Sequence, residues 1–109
     1  EIIQIFGIPV IQSRFEAEAQ CCALEELGLC DATASQDSDC FLFGTKCLIY
    51  DFFNQKKLPK IFRTKEMRFT KEHYILFASI TGSDYFSGIK GIGPKMATII
   101  LNEVKNQEL

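Results

Sequence analysis

Two short acidic pairs, Glu16-x-Glu18 and Asp37-x-Asp39, and a later Asp84 are the residues of this chain best suited to chemistry. Carboxylates two apart usually face water, and taken singly each pair reads as solvated surface. Their surroundings argue for more. Each pair follows directly after an expected strand, where an open α/β sheet places its binding crevice. Phe15, Ala17 and Ala19 flank the first pair, and Cys40-Phe41-Leu42 follows the second. Charges held close to a core are costly unless something compensates, and a divalent cation does so. Oxygen donors without His or Cys select Mg2+ or Mn2+. Two such ions suit in-line attack on a phosphodiester, one activating water and the other stabilising the leaving oxygen.

Geometry limits how these side chains meet. Helical residues i and i+2 point apart, so Glu16 and Glu18 converge only if the helix begins there, with Glu18 in its first turn. At an extended strand end, Asp37 and Asp39 lie on the same side. His73 is the only histidine, poor material for a Ser or Cys triad.

A second motif, Gly88-x-x-Gly91-x-Gly93, follows no strand, so the dinucleotide-binding reading fails its context. What remains is a tight turn between two helices, its backbone N–H groups exposed just before a helix N-terminus. Such a nest attracts a phosphate oxygen, and Lys90 and Lys95 sit where they add charge. A purely structural turn is an equal alternative.

The elements that position these groups follow from pattern. Residues 1–6 read as the end of a helix or an amphipathic lead-in closed by Gly7, and Val10 to Gln12 as a buried strand. Residues 16–27 predict a helix with Ala19, Cys22, Ala23 and Leu27 on one face and Gly28 as C-cap. Residues 31–35 are a small-residue strand, 36–39 an acidic turn, 40–43 a short apolar element ended by Gly44, and 47–53 another strand. The band 56–71 carries an edge strand at Ile61-Phe62. Thr70 caps a helix that shows Tyr74, Phe77, Ala78 and Thr81 on one face and stops near Gly82. Pro94 opens a closing helix. This order argues for an α/β sandwich with a small helical appendage.

Composition bounds the rest. The 109 residues, 47% hydrophobic and 24% charged, make one globular domain or a piece of one. Apolar stretches fall far short of the roughly 20 residues of a membrane span. No signal peptide opens the chain, and its start at Glu1 rather than Met suggests a processed or excised piece. Five cysteines, with Cys21 and Cys22 adjacent and no C-x-x-C, suit neither a disulfide framework nor zinc. They read as buried, reduced thiols of a cytosolic or nuclear compartment. The net charge of −2 hides an asymmetry: residues 1–55 hold nine acids against Arg14 and Lys46, whereas 56–71 hold seven bases against Glu66. Such a domain can bind cations at one part and polyanions at another, although taken alone the band reads first as a solvated basic loop.

In order, Phe6-Gly-Ile-Pro9, Glu16-Ala-Glu-Ala-Gln-Cys21, Ser35-Gln-Asp-Ser-Asp39 with Phe43-Gly44, and Gly82-Ser-Asp-Tyr85 ahead of Gly88-Ile-Lys-Gly-Ile-Gly-Pro-Lys95 closely resemble a known family. They look like the internal (I) region and helix–two-turn–helix of the flap endonuclease/XPG (Rad2-like) structure-specific nucleases, across roughly residues 5–105. The resemblance implies a partial PIN-like three-layer α/β sandwich over residues 1–80 and a DNA-binding helix–two-turn–helix over 81–109. It implies Mg2+-dependent endonuclease and 5′ exonuclease activity in DNA replication or repair. Two ions, replaceable by Mn2+, would be used to cut branched DNA at 5′ flaps. By motif, Glu16, Glu18, Asp37, Asp39 and Asp84 would be the catalytic, metal-binding carboxylates. The carbonyls of Gly88, Ile89 and Ile92 would match a K+ site. The amides around Gly91 and Gly93, with Lys90 and Lys95, would touch duplex phosphates. Relatives often carry Ser at position 88 and a basic residue at position 96, where this chain has Gly88 and Met96.

The larger departure is the N-terminal part of such nucleases, with two further metal-binding aspartates and a helical arch, which nothing in residues 1–15 matches. The sliding-clamp peptide is not matched either, so a clamp would be reached only through other segments. The chain therefore reads as a partial active site, excised from a longer nuclease or completed by another chain, with weakened metal binding and slow cleavage. The nuclease would act in the nucleus, or in the cytoplasm of an organism without one. Two competing readings stand beside it. One is a non-cleaving module that holds duplex DNA by the glycine turn, Lys95 and the basic band. The other is a PIN-type ribonuclease, against which the helix–two-turn–helix argues. The subfamily is open. Asp31-Ala-Thr-Ala-Ser-Gln and Lys56-Lys-Leu-Pro59 lean toward replicative flap endonucleases, whereas Glu16-Ala-Glu-Ala-Gln-Cys and Phe41-Leu-Phe-Gly44 lean toward the excision-repair branch.

Overall fold

A computed structural model describes residues 1–108. A short helix α1 (Ile2–Ile5) leads through an irregular segment to α2 (Ala17–Glu26). Then come strand β1 (Thr33–Ala34), helix α3 (Cys40–Phe43), and strands β2 (Cys47–Tyr50) and β3 (Lys60–Arg63). A 3-10 turn (Thr64–Glu66) connects to α4 (Lys71–Thr81), and α5 (Pro94–Gln107) closes the chain.

The sheet is small and mixed, in the order β1-β2-β3. β1 runs parallel to β2, with Thr33 opposite Leu48, and β3 runs antiparallel to β2, with Leu48 opposite Phe62. The carboxyl end of β1 and the amino end of β2 therefore lie at opposite ends of the sheet. Cys22 from α2, Cys40 from α3 and Leu48 from β2 form the buried core, with Phe41 and Phe43 packed on it. One face of the sheet is thus covered by α2 and α3. On the other face Ile61 stays 53% exposed, so the described residues supply only part of a sandwich.

α2 starts where the sequence places it, with extended Glu16 as N-cap and Glu18 in the first turn. Its buried face differs from the expected one. Cys22 and Glu25 are buried, while Ala23 and Leu27 are exposed. Glu25 owes its place to four donors. Its Oε2 accepts the hydroxyls of Thr33 (3.0 Å) and Thr45 (2.7 Å). Its Oε1 accepts the backbone N–H groups of Lys46 (3.0 Å) and Cys47 (2.7 Å). A buried carboxylate so fully bonded is tolerated where a bare one is not.

Two strand expectations are corrected. Val10 to Gln12 form no strand, because no neighbouring segment of the described residues offers a ladder, and Val10 and Ile11 stay exposed. β2 ends at Tyr50 instead of Phe53, because Asp51 turns into the left-handed region at φ 59° and breaks the extended run. The strand expected over 31–35 shortens to Thr33–Ala34, and the apolar element 40–43 is a helical turn closed by left-handed Gly44.

α4 begins at Thr70, whose backbone N–H donates to Nδ1 of His73 at 3.3 Å. Along the same helix Tyr74, Phe77, Ala78 and Thr81 line one hollow of about 320 Å3, as their helical spacing implies. α5 starts with Pro94 and buries Ala97 and Leu101 beside α4. The loop between them folds back on α4, with the Ile89 N–H donating to the Ile80 carbonyl at 2.7 Å. Gly88 explains its own identity. Its φ is 75°, and a Cβ there would stand 2.7 Å from the Gly82 nitrogen. A side chain such as Ser at this position would force the turn away from the helix end.

Candidate active site

Three stretches bring acids to the carboxyl end of β1: the start of α2 (Glu16, Glu18), the turn after β1 (Asp37, Asp39) and the loop after α4 (Asp84). The turn is held by its own side chains. The Asp37 N–H donates to Ser35 Oγ at 3.0 Å, and the Asp39 N–H donates to Asp37 Oδ1 at 2.9 Å. Asp39, half-buried, also caps α3. On the far side, the Ser83 N–H donates to the Phe86 carbonyl at 2.8 Å and the Tyr85 N–H to Ser83 Oγ at 3.2 Å. These bonds fix the loop that carries Asp84.

The electrostatics tie the acids together. Burial raises the Asp39 carboxyl above its usual range, and the negative charges of Asp37, Asp84, Glu16 and Glu18 raise it further. All five predicted carboxylates therefore sit within one field. Tyr85, not singled out by sequence reasoning as a site residue, belongs to the same surroundings. Its phenol is raised first by desolvation and then by Glu16, Asp39, Asp84 and Asp37. Its ring meets Phe43 edge-on at 5.9 Å. The signal that could have found it is its place directly after Asp84.

The donor set is all oxygen and mutually repulsive, the chemistry that a hard cation satisfies. The side chains are not closed on a common point: among the described residues no three His, Cys, Asp or Glu side chains are grouped tightly enough to hold an ion. By chemistry and charge the residues fit Mg2+, in an open arrangement. Beside them lies the 320 Å3 hollow, which Asp39 and Ser83 line together with Phe41, Leu42 and Phe77.

The glycine turn lies past the same end of α4. Gly91 is exposed in the left-handed region at φ 87°, and Gly93 is the extended N-cap of α5. Lys90 and Lys95 are both exposed beside it. The Ile89 carbonyl already accepts the Ile92 N–H at 3.1 Å, leaving a second lone pair free for another partner. The basic band divides. Lys56 and Lys57 sit in the β2–β3 loop, while Arg63, Lys65 and Lys71 lie at the end of the sheet away from the acids.

This α/β architecture matches part of larger solved catalytic cores. The catalytic core of Rad2 in complex with DNA substrate matches with a TM-score of 0.86 at 35% identity, covering 94% of this chain and 35% of that one. The junction-resolving enzyme GEN-1 binding with potassium matches at 0.84 and 29% identity, covering 98% of this chain and 29% of that one. GEN1 in complex with product DNA and Mg2+ matches at 0.84 and 30% identity, covering 99% and 30%. The chain belongs to the XPG I-region family, whose model matches residues 7–84. The DNA repair protein rad13 of Schizosaccharomyces pombe is 38% identical over 94% of this chain. Flap endonuclease 1 of Glossina morsitans morsitans is 35% identical over 99% of it. The chain spans only 10% of the first relative and 30% of the second.

Proposed function

We propose that this chain is part of a structure-specific DNA endonuclease that removes 5′ flaps by Mg2+-dependent phosphodiester hydrolysis. In this reading residues 1–80 are the nuclease-core part and 81–109 the duplex-binding element. The observation that carries it is the raised Asp39 carboxyl, which feels acids from three separate stretches. Such crowding of like charge on a half-buried carboxylate marks functional sites more often than structural ones.

Glu16, Glu18, Asp37, Asp39 and Asp84 would hold the cations, which when bound supply charge neutralisation and an activated water. The chain's own part is positioning. The Asp37–Asp39 turn presents two carboxylates from one hydrogen-bonded loop. The amides around Gly91 and Gly93 with Lys90 and Lys95 would hold duplex phosphates. The carbonyls of Gly88, Ile89 and Ile92 would take K+, a reading supported by the GEN-1 structure with potassium. The relatives named as DNA repair proteins support action in the nucleus, or in the cytoplasm of a cell without one. Five free thiols agree with a reducing setting. No described helix is long and apolar enough to cross a membrane.

The test is a labelled 5′-flap DNA incubated with the chain and Mg2+, comparing Asp39→Ala. Slow cutting that falls to background in the variant is expected, and cutting that persists unchanged refutes the role of Asp39. The open spacing of the acids favours one second reading, a module that holds duplex DNA without cutting it. Retained flap binding with no cutting at all by the unsubstituted chain would establish that reading instead.

A further inference from the structure

The end of the sheet away from the acids carries a feature that nuclease chemistry leaves unused. Two adjoining hollows there share Lys46, Thr64 and Lys65. One, of about 420 Å3, is walled by Phe41, Met67 and Tyr74 and edged by Lys46, Lys65 and Lys71. The other, of about 540 Å3, continues past Arg63 and Cys47 to Asp31. Both volumes fall within the roughly 300–1,000 Å3 of ligand-holding pockets. The apolar wall is ordered: Phe41 stacks tilted on Tyr74 at 5.5 Å, and the Tyr74 hydroxyl donates to Met67 Sδ at 3.9 Å.

Positive charge gathers at this rim with no Lys or Arg closed into an ion pair among the described residues. Arg68 and Lys105 each stand 5.6 Å from the centre of the Phe69 ring, and Lys105 Nζ donates to the Arg68 carbonyl. The acids on the surrounding elements are Asp31, Glu66 and Glu72, with Glu25 under the start of β2 and Glu103 and Glu108 on or just past α5. Glu72 is engaged by the Thr70 hydroxyl at 2.7 Å. Among the described residues no Lys or Arg nitrogen lies within 4.0 Å of a carboxylate oxygen.

We propose that this face docks an acidic peptide segment with one aromatic or aliphatic anchor. The anchor enters the 420 Å3 hollow against Met67 and Tyr74, and its flanking carboxylates meet Lys46, Lys65 and Lys71. Charge complementarity on the rim and an apolar floor are the two halves of such recognition. A nucleic acid fits less well. Base stacking needs a free aromatic face, and here Phe69 already carries two cations while Phe41 and Tyr74 are turned on each other. The hollow is edged by Lys71 at the start of α4 and shares the Phe41–Tyr74 wall with the hollow beside the acids.

The probe is a fluorescein-labelled synthetic peptide of alternating Asp and Glu around one central Phe, read by anisotropy against the 109-residue chain. A matched peptide with Ser for Phe, and a duplex oligonucleotide, complete the set. Binding of the Phe peptide is expected to weaken about tenfold or more in Lys65→Glu/Lys71→Glu, a larger loss than the duplex oligonucleotide shows. The exposed lysines are replaced without touching the core, and circular dichroism verifies the fold. Met67→Ala is expected to weaken the Phe peptide and leave the Ser peptide unchanged. The proposal is overturned if the Phe peptide does not bind, or if the Ser peptide binds equally well. It is also overturned if the double charge reversal weakens duplex DNA instead.

Discussion

Glu25 shows at residue scale what a carboxylate does when it is not catalytic. Four donors from two threonines and two backbone amides converge on it, so its removal strands polar groups on β1, in the α3–β2 connection and at the start of β2 together. Glu25→Ala is expected to cost about 3 kcal/mol, a large part of the roughly 5–15 kcal/mol of a small domain. A urea midpoint measures this, with Glu25→Gln between wild type and Ala because one of its oxygens still accepts. The buried thiols give a pH test. Burial first, and neighbouring Cys40 second, push Cys22 up to about 12 from an ordinary 9.0, and Cys40 is raised as well. The native state then keeps a proton that the unfolded chain releases, so stability falls as pH rises from about 9 toward 12. The decline should be shallower in Cys22→Ala, and iodoacetamide at neutral pH should label the exposed Cys21 and Cys30 first.

At element scale, what could be read in advance followed sequence distance. The start of α2, the acidic turn, the Thr70 cap and Pro94 are set by neighbours in the chain, and the residues reveal them. The stretch Val10 to Gln12 has strand composition, but a strand also needs a partner, and partnership is not written in three residues. Glu25 was missed for the same reason. Its acceptors serve Thr45, Lys46 and Cys47, some twenty positions away, so only the fold shows that a charged side chain belongs under β2. The acid motifs stand out in the sequence because they are short and local, whereas Tyr85 needs the loop geometry. The loop after α4 makes a prediction of its own. Gly88→Ala meets both the left-handed φ and the helix end at 2.7 Å, and should cost about 1–3 kcal/mol. Thermal melting would register the loss, and weaker duplex binding should accompany it if the turn holds phosphates.

The whole molecule is polarised along the sheet. The two acidic pairs and Asp84 lie toward the end where β1 finishes, with Lys56, Lys57, Lys90 and Lys95 around them, and Lys46, Arg63, Lys65 and Lys71 lie toward the end where β2 begins. α4 runs between these ends, presenting Thr81 to the first hollow, Lys71 to the other and Tyr74 to both. A ligand at either end therefore engages the same rigid helix, although each test above addresses one end alone. The lead-in helix and the segment after it are the least covered part. Ile2, Ile5, Phe6 and Phe15 are 73%, 81%, 77% and 92% exposed. Greasy surface on that scale seeks cover in water. Alone in solution, copies of this chain should stick to one another as concentration rises, and light scattering should record a growing apparent mass. Replacing Ile5 and Phe6 with Ser should hold the particles at monomer size, a colloidal remedy that leaves the sheet and its two charged ends untouched.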